Sequence, residues 1–66
     1  MTSPEALREE SLYLAQRMVD LTAYLASTEF RRAVNLDEAY AITEQLYALV
    51  TAHFHVLRRI DLAERE

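Results

Sequence analysis

The chain has 66 residues, with no cysteine, no glycine and a single proline, and its formal net charge is −4. These counts exclude a disulfide framework, a thiolate metal site, glycine-rich phosphate loops and primed hairpin turns. With 52% hydrophobic and 27% charged residues it is no disordered tail, and its acidic balance argues against non-specific nucleic-acid binding. Apolar runs extend only a few residues, so the sequence predicts neither a membrane span nor a secretory leader. The expected compartment is the cytoplasm.

The first element starts at Ser3-Pro4-Glu5, which reads as an N-cap, a proline in the first turn and an acid complementing the helix dipole. Leu7, Leu14 and Leu21 then recur every seven residues, with Met18 and Leu25 in the alternate seam positions. These five fall within about 60° of one another on a helix. The pattern predicts a helix from Pro4 to at least Ala26.

Ser27 to Val34 holds neither glycine nor proline, although Ser27-Thr28 and Val34-Asn35 are poor helix formers. Two readings are open, and the first is favoured. Either the first helix runs on to a tight turn near Val34, or Ser27 caps a separate short helical turn.

Asn35, with Glu38 three residues on, reads as a capping box opening a second long helix. Ile42, Leu46, Leu49, Val50, His53, Val56, Leu57 and Ile60 follow at helical spacing. The expected fold is a single all-α domain over residues 1–66, an antiparallel hairpin of two long helices assembling into a helical-bundle homo-oligomer. Leu14, Leu21, Leu25, Leu46, Val50 and Leu57 are its expected core.

Two arguments carry the expectation of assembly. Surface scaling gives about 11,000 Å² for the unfolded chain and about 4,300 Å² for a compact fold of this mass. Burying the difference, a little over half of it apolar, returns on the order of 100 kcal/mol at ~25 cal/mol/Å². Ordering the chain at ~1.5 kcal/mol per residue costs about the same. An elongated monomer buries less and falls short.

The second argument is that both helices carry more apolar surface than one neighbour covers. Leu12, Val19 and Phe30 lie across the first helix from its leucine ridge, flanked by Ala15, Ala23 and Ala26. Tyr40, Tyr47 and Phe54 repeat every seven residues on the shoulder of the second. These six large residues are the expected partner interface.

Candidate chemistry is sparse. His53 falls on the main ridge of its helix while His55 points about 160° away, so the two cannot share a metal. A histidine in a seam reads as a hydrogen-bonded, register-setting residue. Ser11 lies beside the ridge, and no Ser/His/Asp arrangement is legible. Glu9, Glu10, Asp20, Asp37 and Glu44 spread over polar faces. Neither catalytic residues nor a metal or cofactor are expected.

The arginine pairs are the most specific polar feature. Arg31-Arg32 fall at the turn and Arg58-Arg59 near the open end, where Arg58 can pair with Asp61 at i+3. An antiparallel dimer would bring the two pairs together as an anion groove flanked by tyrosines. Two functions follow: a non-enzymatic adaptor, inhibitor or regulator that docks on a protein partner, or an oligomer that binds a small anionic ligand such as a nucleotide. Convergence of arginines and tyrosines would favour the second, and a continuous exposed apolar strip the first.

Overall fold

The computed structural model describes residues 3–65 and is all-helical over them. Helix α1 spans Pro4–Leu25, the one-turn helix α2 spans Thr28–Arg32 and helix α3 spans Leu36–Arg65. The two long helices pack against each other as a hairpin whose Cα trace measures 50 × 16 × 15 Å.

Each helix start has a side-chain cause. Ser3 takes an extended backbone, and its hydroxyl accepts from the Ala6 N–H at 3.2 Å, with Pro4 at the first helical position. At Asn35 the side-chain Oδ1 accepts from the Glu38 N–H at 3.1 Å. Only half of the expected capping box forms, because the Glu38 carboxylate accepts the Tyr24 hydroxyl instead.

Between the long helices the structure takes the second of the two readings. The first helix ends at Leu25, and Ser27 is extended (φ −72°, ψ 154°). Its hydroxyl donates to the Tyr24 carbonyl at 2.6 Å and accepts from the Phe30 N–H at 3.2 Å. One side chain thus closes α1 and opens α2, a local alternative to the helix ladder that serine offers and alanine does not. The reversal needs no glycine, since the described residues all keep negative φ.

The core is a seam of alternating three- and four-residue steps on both long helices. On α1 it runs through Leu7, Ser11, Leu14, Met18, Leu21 and Leu25, all half-buried or better. On α3 it runs through Ala39, Ile42, Leu46, Leu49, His53, Val56, Ile60 and Ala63, again half-buried or better. Leu7 and Val56 are the buried residues, at 3% and 4% exposure.

Of the six expected core residues, Leu14, Leu21, Leu25 and Leu46 lie in the seam. Val50 and Leu57 do not, being 54% and 46% exposed. They sit one residue past Leu49 and Val56, and one residue turns a helical side chain by about 100°, away from α1.

Candidate functional site: an apolar face across both helices

Displacing the α3 seam by one residue gives a second repeat of the same period, through Leu36, Tyr40, Thr43, Tyr47, Val50, Phe54 and Leu57. The same step on α1 gives Arg8, Leu12, Ala15, Val19, Thr22 and Ala26. In an antiparallel pair, positions displaced from the seam in the same sense share one side of the hairpin. Two contacts place them there. Arg8 forms an ion pair with Glu64, itself one residue past Ala63. Leu12 and Ala15 share the wall of one cleft with Leu57, Ile60 and His53.

The result is one face. Eight of the twelve large apolar residues exposed in the structure belong to it: Leu12, Val19, Leu36, Tyr40, Tyr47, Val50, Phe54 and Leu57. The expected stripes Leu12/Val19 and Tyr40/Tyr47/Phe54 therefore form two halves of the same surface. The first stripe is not opposite its seam because Ser11 and Met18 belong to that seam and rotate its centre toward it. Phe30 lies outside the face. It is half-buried in α2, its ring 5.5 Å from that of Tyr24, on the flank where Tyr24 meets Glu38.

The two halves differ in relief. On α1, small side chains leave an open groove lined by Ala15, Met18, Val19, Thr22, Ala23 and Ala26. On α3, Tyr40, Tyr47 and Phe54 stand out as a ridge, with Tyr47 at 76% exposure. The two threonines in the repeat present methyl groups, since Thr22 Oγ1 donates to the Met18 carbonyl at 2.7 Å and Thr43 Oγ1 to the Ala39 carbonyl at 2.8 Å. With those hydroxyls satisfied inside the helix, another surface can cover the two threonines without stranding them, while the Tyr40 and Tyr47 hydroxyls stay at the exposed tips of the ridge.

At the edge of the face the two seams each contribute one polar side chain, and these meet: Ser11 Oγ and His53 Nε2 are 2.8 Å apart. Backbone N–H groups around Ser11 are committed to the α1 ladder, so they cannot act as oxyanion donors. The bond ties one helix to the other. Sequence reading placed His53 in the seam and Ser11 only beside it; treating the single polar residue of each seam as partners would have found the pair.

The arginines do not converge within one chain. Arg31 and Arg32 close α2 at the turn, and Arg58 and Arg59 lie in the last third of α3, toward the other end of the hairpin, all four exposed. Asp61 is engaged by Arg65, at 3.1 and 3.2 Å, rather than by Arg58. Among the described residues, no three His, Asp or Glu side chains come together as a metal site, and no helix is long and apolar enough to cross a membrane. No family model, curated protein or solved structure matches the chain.

Proposed function

We propose that this chain is a small non-enzymatic interaction protein of the cytoplasm, an adaptor, inhibitor or regulatory subunit that works by docking its apolar face onto another helical surface. The observation that carries the reading is the continuity of the exposed apolar residues from Leu12 and Val19 on α1 to Tyr40, Tyr47 and Phe54 on α3. A contiguous apolar patch of this kind, with its threonine hydroxyls bonded back into the helices, is a surface suited to being covered. The four arginines, split between the two ends of the rod, give the anion-binding alternative no comparable support.

Native mass spectrometry of the protein purified from its own host tests the reading, because stoichiometry and any retained protein or small molecule are read together. Wild type should emerge in an assembly and Tyr47→Lys as the free chain. A free wild-type chain, or one retaining only a small anionic ligand, would refute it.

A further inference from the structure

Resting on that reading, we infer that the occupant of the apolar face is a second copy of this chain, and that the two hairpins form a four-helix bundle with their turns at the same end. Area is the first argument. The single chain exposes 5477 Å², whereas a compact fold of its mass exposes about 4,300 Å² and one of twice its mass about 7,200 Å². Pairing two copies would therefore remove up to about 3,800 Å² from water, the limit reached if the bundle is as compact as a globular fold of twice the mass. That lies within the range of obligate homodimers and well above a standard-size contact.

The second argument is that no segment among the described residues covers the face. The segment best placed to do so is α2, and it packs Phe30 against Tyr24 on the opposite flank. Val19 is left 66% exposed.

The third argument fixes the arrangement. A two-fold axis along the bundle lays α3 of one copy over α1 of the other, antiparallel and at an unchanged level. With Ser11 opposite His53, seven-residue steps bring Met18 level with Leu46 and Leu25 level with Ala39. Tyr47 of one copy then falls between Ala15 and Val19 of the other, and Tyr40 between Thr22 and Ala26. These are positions lining the groove. Ridge and groove share a seven-residue period, so a large residue meets a small one at each turn. An axis across the bundle would instead set ridge on ridge and groove on groove, with the helices at unequal separations.

Sedimentation equilibrium comes first. At about 10 μM the chain should run at twice its mass. Tyr47→Lys, at a site that the hairpin itself leaves exposed, should halve it with helical circular dichroism retained; if it also lost helicity, the smaller change Tyr47→Ala should still weaken the dimer at least tenfold. Because the chain lacks cysteine, Val19→Cys and Tyr47→Cys can then be mixed and oxidised. The cross-linked product should join the two different variants. A wild-type monomer across the concentration range would overturn the second copy as occupant while leaving a heterologous partner open. A dimer unaffected by either Tyr47 change would overturn the face, and one linked only like to like would overturn the shared-end arrangement.

Discussion

Ser11 on α1 and His53 on α3 are joined across the helical seam by a 2.8 Å hydrogen bond, 42 residues apart in sequence. Every other seam position on both helices is apolar. A single polar pair in an otherwise apolar seam fixes which turn of one helix faces which turn of the other, since sliding by one turn sets both groups against hydrocarbon.

Ser11→Ala should therefore destabilise the fold by about 1–2 kcal/mol, the range expected when a partly buried group loses its partner. The double change Ser11→Ala/His53→Leu should recover most of that loss, because no polar group remains to be desolvated. Urea denaturation of both variants checks the pair. A double variant as unstable as Ser11→Ala alone would show that packing, rather than the hydrogen bond, sets the value of the site.

Leu7→Ala should be the most damaging leucine truncation in α1. Leu7 is 3% exposed, and truncating a buried leucine typically costs about 2–5 kcal/mol. Half-buried Leu14 and Leu21 should lose less. Denaturation midpoints for the three variants, measured at one protein concentration, give the order directly.

The α1 seam was legible because its leucines recur without competition. On α3 the sequence carries two repeats of equal period one residue apart, and hydropathy does not separate them. The true seam contains His53, Ala39 and Ala63, whereas the exposed repeat contains Tyr40, Tyr47, Val50, Phe54 and Leu57. Assigning Val50 and Leu57 to the core mixed the two. What separates them is the position of α1, which a single helix pattern does not contain. Similarly, Leu12 and Val19 read in sequence as a stripe of their own, because helical angles on one segment cannot show that two flanks share a side. Sequence leaves the break at Ser27 as the less favoured of two readings: propensity is nearly flat there, and the deciding hydroxyl bonds to Tyr24 and Phe30 are geometric.

Ser27→Ala should remove both bonds at once. An N-cap serine replaced by alanine costs about 0.5–2 kcal/mol. Ser27→Asp should restore the acceptor for the Phe30 N–H but not the donor to the Tyr24 carbonyl, and so recover only part of the loss. Thermal melts of the three proteins test this, and equal stability of the alanine and aspartate variants would show that the cap contributes nothing.

Tyr24 makes one surface contribution to stability sensitive to alkaline pH. Its hydroxyl donates to the Glu38 carboxylate, and this bond holds the phenol pKa above its ordinary value of 10.0, with partial desolvation and the nearby charges of Glu38 and Glu29 acting in the same direction. Deprotonation would remove the donor and set a phenolate against a carboxylate. The native state therefore holds this proton more tightly than the unfolded chain does. Stability from the pair is fully present below pH 10, declines as pH rises above the unfolded value, and is gone once the raised native pKa is passed. Tyr24→Phe should lower stability at neutral pH and abolish this part of the alkaline decline, while Glu38→Gln should return the phenol toward its ordinary range. The difference in tyrosinate absorbance between wild type and Tyr24→Phe, followed through the alkaline range, isolates this one group from Tyr13, Tyr40 and Tyr47. A difference curve centred at or below 10 would show that the Tyr24–Glu38 bridge does not hold α1 to the start of α3 in solution.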